Sequence, residues 1–294
     1  MRVLVTGAAG LLGSAVVEAF SHGAEVHASR HGDLDITDHA AVERVVDDLR
    51  PDAVINCAAY NDVDRAETEA PAALQVNAFG VLALARAAHA AQATMVHYST
   101  DFVFDGETSR PYTETDPPRP LNVYAASKLL GEWFAADSPQ HYVLRVESLF
   151  GGPGASNGAR RGSLGTIVDR IRAGDVVPVF VDRTVSPSYT RDVAAATRAI
   201  LERRLPAGTY HCVNAGSGTW LDVARYAAEI LETPLRTREL TLETVAAKAA
   251  RPRFCAMSPA RLAEFGVVMP PWQDAVRRFL REDLQGVPTP SPTA

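Results

Sequence analysis

Short apolar runs alternate with segments of helical period through the first half of the chain. Residues 11–20 and 38–49 carry apolar side chains three and four positions apart, as amphipathic helices do. The full series predicts strands at residues 2–5, 25–28, 53–56, 94–99 and 142–146, and helices at 11–20, 38–49, 71–91 and 122–135. This alternation indicates βαβ units and hence a doubly wound parallel sheet of the Rossmann α/β class.

The pattern changes after residue 150. A stretch rich in glycine and arginine, residues 151–162, is incompatible with regular structure. Helices are then predicted at 163–173, 190–203, 219–231, 258–264 and 272–284, with one strand at 208–213. We expect a sheet domain over residues 1–150 and a smaller C-terminal α/β lobe over 151–285 that lends elements back to the sheet. The Pro/Thr-rich end, 286–294, is predicted to be a disordered tail.

Composition excludes several classes of function. The chain has 294 residues, 47% of them hydrophobic, and a net charge of −6 with a pI near 5.8. This acidic balance argues against nucleic acid and against an anionic membrane as partners, and we predict that no apolar run is long enough to span a bilayer. Cys57, Cys212 and Cys255 lack disulfide or metal-binding spacing. We therefore expect a protein of the reducing cytoplasm.

Three glycines follow the first strand with the spacing G-x-x-G-x-x-G. They are Gly7, Gly10 and Gly13, and Leu11 and Leu12 open the helix between the last two. Glycines at these positions let the backbone turn tightly and approach a pyrophosphate at a helix N-terminus. The segment therefore predicts a dinucleotide site, and the competing interpretation is a tight turn alone.

The end of the second strand indicates which dinucleotide is preferred. NAD sites usually carry an acidic residue there, whereas arginine accommodates the 2′-phosphate of NADP. This chain has Arg30 and no acid at that point, which favours NADP(H) and leaves NAD(H) open. Asp35 and Ile36 are expected beside the adenine, while Thr37 or Asp38 could instead cap the next helix.

Tyr124 and Lys128 are four residues apart in the predicted helix 122–135. Side chains at this spacing share one helix face. An ammonium beside a phenol favours the phenolate, so we expect Lys128 to lower the pKa of Tyr124. Such a tyrosine could exchange a proton with a carbonyl or alcohol oxygen near neutral pH.

Several segments resemble the extended short-chain dehydrogenase/reductases, and within them the dTDP-4-dehydrorhamnose reductase family. They are the glycine turn at 6–13, residues 56–67, the run His-Tyr-Ser-Thr-Asp-Phe-Val-Phe-Asp-Gly at 97–106, and residues 120–132. The resemblance implies an NAD(P)-binding domain over residues 1–150. It also implies reduction of the 4-keto group of a nucleotide-linked 4-keto-6-deoxy sugar, with a dTDP-linked sugar favoured.

The family's catalytic trio falls on Thr100, Tyr124 and Lys128. By this resemblance Tyr124 protonates the developing alkoxide and Thr100 donates a hydrogen bond to it. Lys128 would also hold the ribose of the nicotinamide. Ala58, Ala59 and Tyr60 match a cofactor-lining segment.

Asn77 resembles the helix asparagine of the superfamily. It could support Lys128 through a water molecule, or it could be a buried polar residue satisfied locally.

Residues after Thr100 distinguish reductases from related dehydratases. The dehydratases usually have Thr-Asp-Glu, whereas this chain has Thr100-Asp101-Phe102. The missing second acid favours plain reduction over dehydration. Asp101 and Phe102 are assigned to the sugar site, and capping of a turn stays open for Asp101.

Two departures from the family, and one resemblance to it, concern the substrate. The reductases commonly carry Thr-Ser-Trp where this chain has Val146-Glu147-Ser148, so Ser148 stands in place of a tryptophan that shapes the sugar site. Arg160 could bind a diphosphate, or its loop could simply be solvated. Arg251 resembles a family arginine near the site.

A metal-binding glutamate of some relatives is Ala15 here, so we predict no metal. These departures suggest a role in making a deoxysugar for a natural product or a cell surface. Two other functions stay open: a sugar-nucleotide epimerase or dehydratase of the same fold, and a regulatory subunit like that of methionine adenosyltransferase. A homodimer is compatible with the sequence.

Overall fold

A six-stranded parallel sheet organises the computed structural model, which describes residues 1–152 and 162–285. The strands are β1 Arg2–Thr6, β2 Glu25–Ser29, β3 Ala53–Asn56, β4 Thr94–Thr100, β5 His141–Val146, β6 Leu149–Phe150, β7 Val177–Phe180, β8 Thr184–Val185, β9 Ser188–Tyr189, β10 Gly208–His211, β11 Gly218–Thr219 and β12 Thr237–Leu240. The main sheet has the order β2-β1-β3-β4-β5-β10. The doubly wound Rossmann α/β class is therefore confirmed.

The helices cover both faces of this sheet. They are α1 Leu11–Ser21, α2 His39–Leu49, α3 Val63–Ala66, α4 Ala70–Leu74, α5 Gly80–Ala90, α6 Val123–Ala135, α7 Gly162–Arg172, α8 Thr190–Arg203, α9 Trp220–Ile230, α10 Ala260–Glu264 and α11 Trp272–Gln285. Side chains alternate across β1, so Val3 and Val5 pack with α1 and α8 while Leu4 packs with α2 and α5. Burial on both faces explains why the parallel strands are apolar runs.

The second half of the chain contributes to the sheet and also forms its own core. β10 pairs with β5, and α8 packs against α1. A separate buried cluster joins α7, α9 and α11 with β7. The pairs β7–β12, β8–β11 and β6–β9 were not predicted; each strand has two to four residues, too few to give a clear period. The division near residue 150 remains a proposal, and the tail 286–294 lies outside the described residues.

The predicted helix 71–91 is one continuous apolar segment but not one regular helix. A π-helical turn, Gln75–Phe79, separates α4 from α5. The prediction that no run could span a bilayer is wrong by length and composition, because Ala70–Ala90 has 21 residues and is sufficiently apolar. Half of its most apolar window is buried inside the fold, where α5 packs on α2, β3, β4 and α6. The apolar character of this segment is therefore that of a core helix.

Candidate active site

A cavity of about 840 Å³ opens at the carboxyl ends of β1, β3, β4 and β5. This is the edge of an open parallel sheet at which ligands bind in doubly wound folds. The cavity brings together twelve of the predicted site residues: Gly10, Leu11, Leu12, Gly13, Ala58, Ala59, Thr100, Asp101, Phe102, Tyr124, Lys128 and Ser148. Five segments far apart in sequence thus converge on one space.

The glycine turn closes β1 and opens α1. Gly7 has φ +65°, and the Gly10 N–H donates to the Gly7 carbonyl at 2.9 Å. A Cβ atom on Gly13 would lie 2.2 Å from that same carbonyl oxygen, and one on Gly7 would lie 2.6 Å from the Ala58 nitrogen. α1 begins without a side-chain cap. Its first residues, Leu11 to Gly13, line the cavity, which places the helix N-terminus where an anion could bind.

Tyr124 and Lys128 lie on successive turns of α6, and both line the cavity. The helix begins at Asn122, whose side-chain oxygen accepts the Ala125 N–H at 2.7 Å. Tyr124 is 8% exposed and Lys128 only 3%. The shared face expected from their spacing is therefore present.

The expected effect of Lys128 on Tyr124 is wrong. Burial raises the pKa of the Tyr124 phenol, and this outweighs the lowering by a hydrogen bond with Thr100. Burial lowers the pKa of Lys128 to about 8. The phenol is consequently protonated at neutral pH, so Tyr124 is an acid in this state rather than a phenolate.

A buried polar chain holds the Lys128 side chain. Its Nζ donates to the Tyr98 carbonyl at 2.6 Å and lies 3.5 Å from His97 Nε2. Asn56 accepts from the Thr6 hydroxyl at 2.7 Å, so its amide nitrogen faces His97 Nδ1 at 3.2 Å. Desolvation holds the pKa of His97 well below its usual range, so the imidazole is neutral. This polar network could not be predicted from local sequence patterns, because its members come from β1, β3, β4 and α6.

Thr100 ends β4 and serves two purposes. Its hydroxyl accepts the Phe102 N–H at 3.2 Å, which caps a 3₁₀ turn, and it donates to Asp101 at 3.0 Å. The same residue lines the cavity beside Tyr124. The Phe102 ring meets Tyr124 edge-on at 5.8 Å between centroids.

Glu147, which was not predicted as a site residue, lies beside Asp101 in the cavity wall. It is 1% exposed and accepts the Ser186 N–H at 2.7 Å. Burial raises the pKa of Asp101 to about 6 and that of Glu147 well above its usual range, helped by the Asp101 charge. Arg183 lines the same wall, with its guanidinium 5.6 Å from the Phe102 ring centre. Ser148 follows in a left-handed conformation, φ +46°.

Three residues expected near the adenosine end lie outside the cavity lining. Arg30 is exposed directly after β2. Asp35 accepts from the Thr37 N–H and hydroxyl at 2.9 and 2.8 Å. Ile36 is buried against Gly80. Asp38 accepts the Ala41 N–H and so caps α2, which agrees with the helix-capping interpretation.

Asn77 is satisfied locally. Its amide oxygen accepts the Tyr60 N–H at 2.9 Å, and its nitrogen donates to the Tyr60 carbonyl and the Ser127 hydroxyl, both at 3.0 Å. Neither Asn77 nor Tyr60 lines the cavity. The amide fixes the loop that carries Ala58 and Ala59, so its contribution is indirect.

Arg251 is engaged away from the cavity. It makes a bidentate pair with Asp64 at 3.0 and 2.8 Å, which lowers the pKa of that carboxyl to about 2. Arg160 lies outside the described residues. The far wall of the cavity comes from the second half of the chain, through Ser163, Thr166, Arg170, Phe180 and Trp220. These residues carry no local motif, and only the fold brings them to the site.

Comparison with known proteins agrees with this geometry. The family model described as the RmlD substrate binding domain matches residues 1–285. A dTDP-4-dehydrorhamnose reductase of Streptomyces griseus is 37% identical over 275 residues, covering 90% of this chain and 88% of that protein. A dTDP-4-keto-6-deoxy-D-glucose reductase of Streptomyces niveus is 35% identical over 271 residues, covering 90% and 91%.

A solved structure extends the likeness to three dimensions. The dTDP-4-dehydrorhamnose reductase of Bacillus anthracis, in complex with NADP, superposes with a TM-score of 0.89 at 31% identity, covering 96% of this chain and 99% of that one. With the glycine turn, Thr100, Tyr124 and Lys128 around one cavity, the chain belongs to the dTDP-4-dehydrorhamnose reductase family.

Proposed function

We propose that this protein is an NADPH-dependent sugar-nucleotide 4-ketoreductase that converts the ketone of a 4-keto-6-deoxy sugar to an alcohol. One observation supports the proposal most directly. Thr100, Tyr124 and Lys128 line the same cavity as the N-terminus of α1, which has no side-chain cap. The similar proteins of Streptomyces griseus and Streptomyces niveus are named as reductases of dTDP-linked keto sugars.

The residues present suit a dinucleotide. Gly7 and Gly13 allow a close packing of the turn that a Cβ atom would prevent, and the N-terminus of α1 that this turn presents to the cavity suits a pyrophosphate. Ala58 and Ala59 line the adjoining wall. We assign the 2′-phosphate of NADP(H) to Arg30, which has no ion-pair partner among the described residues. NADP is the dinucleotide in the similar Bacillus anthracis structure, and NAD(H) is the alternative.

When bound, NADPH supplies the hydride that the ketone carbon receives. Tyr124 then gives its proton to the developing alkoxide, which a neutral phenol can do because burial raises its pKa. Thr100 turns its single hydroxyl hydrogen from Asp101 to the same oxygen and stabilises the charge as it forms. Lys128, anchored on the Tyr98 carbonyl, is the residue that would hold the cofactor's ribose.

The substrate is a nucleotide sugar, and the dTDP-linked form is the specific proposal. Phe102 occupies the place of a dehydratase acid and packs on Tyr124, which supports reduction without loss of water. We assign the sugar to the wall formed by Asp101, Phe102 and Ser148, and the nucleotide to the wall from the C-terminal lobe. Deoxysugar biosynthesis for a natural product or a cell surface is the corresponding role.

The cellular location and the oligomeric state are proposed in general terms. Cys57, Cys212 and Cys255 are all free thiols, which supports a reducing cytoplasm. A homodimer and the absence of a metal at Ala15 stay predictions from the sequence.

Following nicotinamide absorbance tests the function. Purified protein, NADPH and enzymatically made dTDP-4-keto-6-deoxyglucose are mixed, with and without a 3,5-epimerase. Tyr124→Phe should lower kcat by about 10²–10⁴-fold, while the Kd for NADPH stays within about threefold because the ring remains. Tyr226→Phe, whose hydroxyl contacts Arg277 away from the cavity, is the matched control. Full activity in Tyr124→Phe would contradict the mechanism.

A further inference from the structure

Glu147 lines the substrate cavity and is buried, and one of its two carboxyl oxygens lacks a hydrogen-bond partner among the described residues. Its Oε2 accepts the Ser186 N–H at 2.7 Å, whereas Oε1 has no hydrogen-bond partner among the described residues. A buried polar atom without a hydrogen-bond partner destabilises the folded state, because it has lost its hydrogen bonds with water and has made none with the protein. An unsatisfied atom at this place therefore indicates a group that a ligand brings.

The position of Glu147 relative to the reacting centre follows from strand register. Thr100 pairs with Val146 across β4 and β5. Asp101 and Glu147 each come one residue later, so the two carboxyl groups leave neighbouring strand ends side by side. In the proposed function the ketone oxygen is bound by Thr100 and Tyr124. Because Asp101 directly follows Thr100, we place the carboxyl pair next to the part of the ring that adjoins the ketone.

A cation is a competing occupant of this cluster. Ligand atoms of Asp101, Glu147 and Cys255 all lie within 4.8 Å of one another. Arg183 already supplies positive charge there, because its guanidinium donates to the Cys255 sulfur at 3.4 Å and interacts with both carboxyl groups. A cation next to this guanidinium would be repelled. The cluster is therefore better matched to a neutral ligand that both donates and accepts hydrogen bonds.

We propose that Glu147, with Asp101 and Arg183, forms a subsite that binds the hydroxyl group on the ring carbon adjacent to the ketone. The inference rests on the proposed reductase function. Glu147 in its acid form donates through Oε1 to the hydroxyl oxygen, and Asp101 accepts the hydroxyl hydrogen. Arg183 balances the remaining charge. The protein thus selects keto sugars that keep this hydroxyl over those that lack it.

Two substrates and two variants test the subsite. The substrates are dTDP-4-keto-6-deoxyglucose and its 3-deoxy analogue. Glu147→Ala should lower kcat/KM for the hydroxylated sugar by about tenfold to a hundredfold and for the analogue by less than about threefold. Glu147→Gln should stay within about threefold of the wild type on both, because its amide oxygen accepts from Ser186 and its NH₂ group donates.

The outcomes separate this inference from the proposed function. Equal losses on both sugars in Glu147→Ala would give Glu147 a merely structural role and overturn the subsite. A loss in Glu147→Gln as large as in Glu147→Ala would overturn the donor role. If the wild type reduces neither sugar, the reductase function fails. Calorimetric binding of dTDP-glucose and dTDP-3-deoxyglucose then tests the subsite, and Glu147→Ala should weaken only the former.

Discussion

The side-chain nitrogen of Lys128 donates to the backbone carbonyl of Tyr98 at 2.6 Å. This bond joins α6 to β4 two residues before Thr100, so it fixes the distance between the helix that carries Tyr124 and the strand that carries Thr100. Lys128 therefore positions two elements of the site in addition to any contact with a cofactor.

Lys128→Met should remove a pH-dependent part of the stability. Burial lowers the pKa of Lys128 from 10.5 to about 8, so between these values the folded state holds fewer protons than the unfolded state. The free energy of unfolding of the wild type should therefore rise from pH 8 toward 10.5, by at most about 3 kcal/mol. Urea denaturation at several pH values measures the difference between wild type and variant. Parallel pH curves would contradict the assignment.

Gly13→Ala should destabilise the glycine turn and weaken NADPH binding together. The added Cβ atom would lie 2.2 Å from the Gly7 carbonyl oxygen, so the turn must shift. We expect a loss of about 1–3 kcal/mol in the free energy of unfolding. Gly32→Ala is the control, because nothing lies within 4 Å of its added Cβ atom. Thermal denaturation and fluorescence titration with NADPH check both effects, and equal behaviour of the two variants would refute the prediction.

Arg30→Ala should change the choice of cofactor rather than the chemistry. A charge-assisted bond to the 2′-phosphate would be lost, which raises the KM for NADPH about tenfold. The KM for NADH should change by less than about twofold, because NADH has no such phosphate. Steady-state kinetics with both cofactors measure the two constants. A wild-type preference for NADH that survives the substitution would rule out this role for Arg30.

Arg145→Met should lower the free energy of unfolding more than the loss of a surface ion pair does. Arg145 and Glu132 are about 5% exposed and bond at 2.9 and 2.7 Å, and Glu132 also accepts from Ser99. Removing one partner leaves a buried charge, at a cost of about 3–5 kcal/mol.

The exposed pair Arg65–Glu69 provides the comparison for this prediction. Arg65→Met should cost less than about 1 kcal/mol. Urea denaturation of both variants gives the two values. Similar losses would show that the Arg145 pair contributes no more than a surface contact.

The sequence predicted the parts of the site that depend on local pattern and sheet direction. A glycine turn after a strand, and a tyrosine and lysine one helical turn apart, are short-range features. The carboxyl ends of parallel strands lie at one edge of the sheet, so Thr100 at the end of β4 had to lie near the glycine turn at the end of β1. Glu147 directly follows β5, so the same reasoning from sheet direction could have found it, whereas Arg183 joins the site only through long-range packing.

The error over Tyr124 has a similar origin. Spacing places Tyr124 and Lys128 on one face, but the long Lys128 side chain ends on the Tyr98 carbonyl. The neighbouring strand β4 determines which polar group the Lys128 ammonium contacts. The burial that raises the Tyr124 pKa depends on residues from other elements, including Phe102. A one-dimensional pattern does not contain either fact.

The pairing of β10 with β5 has a consequence for synthesis on the ribosome. β5 is complete at Val146, but its partner begins only at Gly208. Until that segment emerges, the nascent chain presents an unpaired, apolar strand edge that can template association with other chains. A release or stall before residue 211 should therefore yield aggregating fragments, and chaperones that bind extended apolar segments should recognise this stage of translation.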